Sequence, residues 1–210
     1  MKYATQTEYW ADPVSGKLRN QFEPLYQDIE DPWGCSEKCD SLSNRLFLEL
    51  IFPPGQKYEN ILDLGCGQGY LTNLIKLRNL GGVVTGVDCS ATAVNKAKNT
   101  FPQIPFLVFN IIKDEWKTDN KFELITMSEI IWYLAENIEP VLKKLKLMLS
   151  SEGVIAIHQH FPKNQKYGKT IQGKMGFLSL MEKHNFQIRQ RITIHREDDE
   201  EVMLGMFQMV

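Results

Sequence analysis

From Glu59 onward, short apolar runs alternate with segments of helical periodicity: ENILDL, a helix over 70–79, VVTGVD, a helix over 91–99, PFLVFN, FELITM, a helix over 138–149, then GVIAIHQH. Strands joined by crossover helices run parallel, because the helix carries the chain back to the starting edge before the next strand begins. The runs are too uniformly apolar for either face to meet water, as in sheets covered by helices on both sides. A last helix over 170–184 precedes FQIRQRITIHR and EVMLGMFQMV, and the charged turn 197–200 between them predicts a hairpin. The pattern therefore predicts an α/β three-layer sandwich whose mostly parallel sheet closes with an antiparallel C-terminal hairpin.

The first 55 residues do not share this alternation; rich in aromatics, prolines and acidic turns, they read as a helical lid on a core spanning 56–210 of one domain. Asp40-Ser41 predicts the cap of a helix reaching about Phe52, with Leu42, Leu46 and Leu50 on its buried stripe, and Pro53-Pro54-Gly55 ends it. A chain of 210 residues with 43% apolar content can bury a core without disulfide or metal staples. Lys and Arg number 24 against 26 Asp and Glu, a net charge of −2 that offers no positive field to a nucleic-acid backbone. The start lacks an apolar signal-peptide core and no apolar run is long enough to span a bilayer, so the expected setting is cytoplasmic, away from membranes. Cys35, Cys39, Cys66 and Cys89 form no paired ligand spacing, so free thiols and no metal site are expected. Oligomeric state is not legible.

The first strand runs straight into Gly65-Cys66-Gly67-Gln68-Gly69-Tyr70. Glycines at such a turn let the backbone bend sharply and approach a ligand where a side chain would collide. In the dinucleotide fingerprint a third glycine would fall at position 70, which is Tyr70, so the pattern that packs a helix over a pyrophosphate is broken. Asp63 would repel a pyrophosphate but suits a cationic amino group. Asp88, 21 residues beyond Gly67 at the next strand end, can accept hydrogen bonds from both hydroxyls of a ribose. Taken singly, the glycines could serve a tight turn only and Asp88 a helix cap; together on successive strand ends they point to a nucleoside ligand without phosphates.

This segment resembles motif I of the class I S-adenosylmethionine-dependent methyltransferases. The resemblance implies a Rossmann-like seven-stranded sheet and S-adenosylmethionine as cofactor, held around Asp63, Gly65, Cys66, Gly67, Asp88 and Cys89. It also implies that Asn110 contacts the adenine amino group, with Ile111 beside the ring; an ordinary turn is the other reading of Asn110. Phe22-Glu23-Pro24-Leu25-Tyr26 and Asp31-Pro32-Trp33-Gly34 are similar to the N-terminal region of the NodS-like methyltransferases, which include an enzyme that N-methylates a chitooligosaccharide. That similarity implies a lid in which Trp33 closes over the cofactor and Arg45 pairs with its carboxylate, and it suggests a saccharide or cell-surface glycan precursor as acceptor.

In the family, the segment Ser128-Glu129-Ile130-Ile131-Trp132-Tyr133-Leu134 lies beside the sulfonium and the acceptor pocket. No Asn-Pro-Pro-Tyr sequence occurs there, which argues against methylation of a flipped base and leaves a small-molecule acceptor. An ammonium or hydroxyl acceptor must lose a proton, so a base is needed at a strand end. Glu129, His158 and His160 are candidates, with alternation placing both histidines on one face and Gln159 on the other; His160 and Glu129 are the favoured pair. Two rivals stay open, an NAD-linked oxidoreductase and a non-catalytic protein that binds the same cofactor.

Overall fold

The computed structural model describes residues 3–196 and 200–210. The apolar runs form β1 (Asn60–Leu64), β2 (Val83–Asp88), β3 (Phe106–Val108), β4 (Phe122–Ser128) and β5 (Leu149–Phe161), followed by β6 (Phe186–His195) and β7 (Glu201–Met209). Among the described residues these make one seven-stranded sheet of order β3-β2-β1-β4-β5-β7-β6. Pairing is parallel from β3 through β5, while β7 runs antiparallel to both β5 and β6. The expected hairpin is therefore present, although residues 197–199 of its turn lie outside the described residues. The chain moves outward from β1 to β3 and then returns to the other side of β1, so the order reverses between β1 and β4. A reversal of this kind leaves a crevice above the carboxyl ends of those two strands.

The lid contributes α1 (Gln6–Trp10), α2 (Phe22–Asp28), α3 (Cys35–Lys38) and α4 (Leu42–Ile51); the core contributes α5 (Tyr70–Arg78), α6 (Ala91–Thr100), α7 (Ile131–Leu134), α8 (Ile138–Met148) and α9 (Gly173–Lys183). Ser41 and Ser90 cap α4 and α6, each accepting a hydrogen bond from the backbone N–H three residues on. The buried stripe of α4 holds Leu50 with its apolar neighbours Phe47, Leu48 and Ile51, and Leu46 packs partly against it, while Leu42, expected on the same stripe, is 61% exposed. Leu42 opens the helix, before the turn that reaches the sheet. The expected single helix over 170–184 is interrupted at Gln172, whose φ of 55° is left-handed, so a 3₁₀ turn precedes α9.

Neighbouring strand residues feed opposite cores. Leu62 and Ile125 join a cluster with Leu145 of α8 and Phe177 of α9, whereas Ile61 and Leu124 join one with Phe47 of α4 and Ile75 of α5. Both faces of the central strands are thus covered by helices, which is why these strands read as continuous apolar runs rather than alternating ones. No helix among the described residues is long and apolar enough to cross a membrane.

Candidate functional site

The crevice is built first by the glycine turn. Gly67 has a φ of 53°, and a Cβ there would lie 2.8 Å from the Tyr26 hydroxyl of the lid, so only glycine lets α2 close this far. Asp88, at the end of β2, accepts hydrogen bonds from the Gly67 and Ser90 N–H groups, each at 2.9 Å, and so ties the turn to the next strand end. Burial raises the Asp88 pKa, and the neighbouring hydrogen bonds lower it by less. Asp63 lies one strand away and beneath the turn, 1% exposed, with the Thr72 and Thr126 hydroxyls donating to its two oxygens at 2.6 and 2.7 Å. Burial raises its pKa too, and Asp88 adds to the effect.

The lid is latched onto this turn by side chains that sequence pattern did not single out. Glu23 accepts hydrogen bonds from Ser90 Oγ at 2.7 Å, Thr92 N at 3.1 Å and Thr92 Oγ1 at 2.6 Å, at the start of α6. The Lys96 ammonium donates to the Tyr26 and Glu30 carbonyls, and Gln68 donates to the Glu30 carbonyl. Trp33 Nε1 donates to the Tyr26 hydroxyl at 3.0 Å, and the Trp33 ring lies 5.9 Å from that of Tyr133. Trp10 and Phe22 meet the same Tyr133 ring edge to face.

The second half of the crevice lies at the ends of β4 and β5. Glu129 follows β4 with a φ of 57°, a conformation that costs a non-glycine residue of this kind roughly 1–3 kcal/mol and is found mostly where surrounding contacts impose it. Its carboxylate accepts from His160 N at 3.0 and 3.1 Å and from Gln159 Nε2 at 2.9 Å. Packing by protein raises its pKa to about 7, the His160 N–H and Arg196 opposing the rise. One side stays open, with 45% of the side chain reachable by solvent. His158 is buried; its Nδ1 lies 3.1 Å from Ser128 Oγ and its Nε2 3.6 Å from Glu129. Burial, with His160 nearby, lowers its pKa to about 4, so the ring is neutral at pH 7 and the contact with Glu129 is not an ion pair. His160 directs Nε2 at Glu200 at 2.7 Å. Burial, and then the charge on Glu129, push the Tyr133 phenol well above its usual pKa, so that hydroxyl remains a donor.

Gly65, Gly67 and Asp88 stand at the β1 and β2 ends, where the Tyr26 hydroxyl meets Gly67 and Trp33, while Ser128, Glu129 and His160 stand at the β4 and β5 ends; Cys66 packs against Val94, Ala97, Ile104 and Phe106, and Cys89 is exposed. Other expected residues sit elsewhere or are engaged differently. Arg45 is on the outer face of α4, 60% exposed and 3.6 Å from Asp40. Asn110 Oδ1 accepts from the N–H groups of Ile112 and Lys113, an Asx-type turn, and Ile111 packs into the main core. The residues missed were Tyr26, Glu23, Gln159 and Glu200; the first two belong to the quoted N-terminal motif, whereas Gln159 and Glu200 carry no local signature.

The donor set fits a cationic nucleoside. Two buried acids with raised pKa values sit side by side at the turn, and a positive ligand relieves their cost where a pyrophosphate would add to it. The sequence profile of the Methyltransferase domain family matches residues 56–197. The chain belongs to that family. The methyltransferase-domain match covers the glycine turn, Asp88, Glu129 and His160 but neither the lid nor Glu200, and the cofactor of such domains is S-adenosylmethionine, as the glycine turn led us to expect. Trans-aconitate 2-methyltransferase of Escherichia coli is 29% identical over 104 residues, 50% of this chain but 40% of that protein, so the match spans well under half of that relative's length. NodS from Bradyrhizobium japonicum, an N-methyltransferase solved with S-adenosyl-L-homocysteine, superposes with a TM-score of 0.71 at 16% identity, covering 90% of this chain and 97% of that one. A TehB-like S-adenosylmethionine-dependent methyltransferase from Corynebacterium glutamicum gives 0.65 at 18% identity, covering 91% and 100%. At these identities the structural likenesses establish the shared fold.

Proposed function

We propose that this methyltransferase-domain protein carries the methyl group of S-adenosylmethionine to a nitrogen or oxygen of a small molecule, with an amine borne on a saccharide as the first choice. The cofactor supplies an electrophilic methyl on a sulfonium; the chain must orient the acceptor, exclude water and take up a proton. Asp88 would receive the ribose hydroxyls, and Trp33 and Tyr26 would close the turn from the lid side. The net charge of −2 and the absence of a base-flipping motif support a small acceptor over nucleic acid.

The observation that carries the reading is Glu129, a partly open carboxyl at the end of β4, beside the crevice, with a pKa pushed up to about 7. An alkylammonium titrates near 10.4, so handing its proton to Glu129 is uphill by about 5 kcal/mol. A phenol titrates near the same value, so the proton alone does not choose between nitrogen and a phenolic oxygen; the preference for nitrogen is in keeping with the N-methyltransferase of like fold.

Calorimetric titration with S-adenosylmethionine, S-adenosylhomocysteine and NAD tests the cofactor half. The first two should bind, and Asp88→Ala should weaken both on the order of a hundredfold, the loss expected for charge-assisted bonds to two hydroxyls. NAD binding as well as or better than S-adenosylmethionine would defeat the reading. A transfer screen over glucosamine, glucose and small phenols, read as S-adenosylhomocysteine formed, tests the acceptor half, with glucosamine expected to lead.

A further inference from the structure

We propose that Gln159 is a positioning residue for methyl transfer: its buried amide fixes the Glu129 carboxylate at the strand end and holds it ionised for the acceptor's proton. The proposal rests on the reading of Glu129 as proton acceptor. Gln159 has 0% exposure, so its amide has no water to satisfy it. Both of its N–H donors and its oxygen are engaged within a few ångströms of Glu129. Oε1 accepts the Ile131 N–H at 3.0 Å, at the start of α7, and Nε2 donates to Glu129 Oε2 at 2.9 Å and to the His160 carbonyl at 3.2 Å. The amide therefore links three things: the strand end that carries Glu129, the helix that carries Tyr133, and the backbone of His160.

The arrangement is asymmetric in a useful way. Glu129 receives its donors from the β5 side, from Gln159 and the His160 N–H, and keeps its other side open to solvent. A carboxylate held by its back and left open in front can accept a proton without reorganising. The other titratable or charged groups facing it are His158 and His160 on β5, Tyr133 on α7 and Arg196 after β6, with Glu200 acting on His160. Of these, His158 stays neutral at pH 7 and so contributes no charge. An N–H donor binds a carboxylate more strongly than the neutral acid, so the bond from Gln159 Nε2 favours the ionised form and opposes the rise in pKa that packing causes. Without it, the carboxyl would hold its proton to higher pH and be a weaker proton acceptor at neutrality.

The test uses the full chain and two readouts. Carboxyl-carbon NMR of labelled glutamate, with Glu129→Gln to assign the signal, gives the Glu129 midpoint without any acceptor present. Gln159→Met should raise that midpoint by about one to two pH units, the effect of one charge-assisted bond. In parallel, kcat/KM for glucosamine at pH 7 should fall roughly five- to fiftyfold and recover as pH rises past the shifted midpoint, because only the ionised fraction is lost. A merely structural role would lower the rate equally at every pH. Gln159→Glu keeps the acceptor for Ile131 N–H and so guards against misfolding of the methionine variant; its new carboxyl should share a proton with Glu129 and split the titration into two steps. A Glu129 midpoint unmoved in both variants overturns the proposal. Failure of the wild-type protein to methylate glucosamine would count against the acceptor reading alone, since the NMR titration decides the role of Gln159 independently.

Discussion

Asp63 separates two roles that a carboxylate at a glycine turn can play, and they predict opposite phenotypes. In the structure its oxygens each accept a threonine hydroxyl, at 2.6 and 2.7 Å, from α5 and β4, and the side chain is 1% exposed. Truncation in Asp63→Ala strands both hydroxyls in the core. A buried polar group left without a partner costs about 1–3 kcal/mol. Thr126 retains a long bond to the Leu62 carbonyl at 3.5 Å, so the lower part of that range applies to it. The sum is about 3 kcal/mol, which for a chain of this size lowers Tm by about 6–12 °C. Asp63→Asn keeps one acceptor and offers a donor to the other hydroxyl, so about 1 kcal/mol and 2–4 °C are expected. Because burial raises the folded-state pKa of Asp63, its ionisation opposes folding. Wild-type stability relative to Asp63→Asn should therefore fall as pH climbs from about 4 through the raised value, and level off above it. Thermal unfolding followed by circular dichroism, paired with S-adenosylmethionine titration, measures both effects. An Asp63→Ala protein with unchanged Tm and cofactor affinity cut a hundredfold would refute the reasoning and make Asp63 a ligand contact.

Two further perturbations follow from the crevice. Glu129→Gln should lower kcat/KM by about 10²- to 10⁴-fold with cofactor affinity within a factor of two, and the rise of the wild-type rate through pH 7 as Glu129 ionises should vanish. Glu23→Ala removes three bonds from the latch at α6, so Tm should drop by several degrees and cofactor dissociation should quicken in stopped-flow measurements. Burial raises the Glu23 pKa, but the donors of Thr92 and Ser90 outweigh it and hold the value below its ordinary one. The latch thus contributes above about pH 4.5 and is lost as acid protonates Glu23.

What the sequence disclosed was whatever depends on near neighbours. The strand runs, the glycines after β1 and the spacing to Asp88 lie within about thirty residues and obey rules of period and turn chemistry. The cap at Ser41 was legible too, whereas α6 is capped by Ser90 rather than by Asp88, which the sequence offered for that role. Gln159 is the opposite case. It sits in a strand whose apolar alternation makes a glutamine look like an outward-facing polar residue, and its meaning comes from Glu129 and Ile131, about thirty residues away. The latch has the same character: Glu23 meets Ser90 and Thr92 across nearly seventy residues, a contact fixed by how α2 docks on α6. Arg45 and Asn110 show how local partners compete with a motif reading: the Arg45 guanidinium is exposed beside Asp40, and Asn110 Oδ1 accepts from the N–H groups of its own turn.

Under the proposed function, the acids at the strand ends would serve both halves of the reaction. Asp63 and Asp88 are buried with raised pKa values at the ends of β1 and β2, and the packing of protein around one side of the half-open Glu129 raises its pKa as well, at the end of β4. Each is costly in isolation and less so beside a cation. A sulfonium that bears an ammonium side chain would lower that cost at the glycine turn, and the proposed ammonium acceptor would lower it at Glu129. The acids divide the work by depth rather than by chemistry. Asp63 is sealed beneath the turn, Asp88 reaches its edge, and Glu129 alone keeps an open side through which a proton can leave.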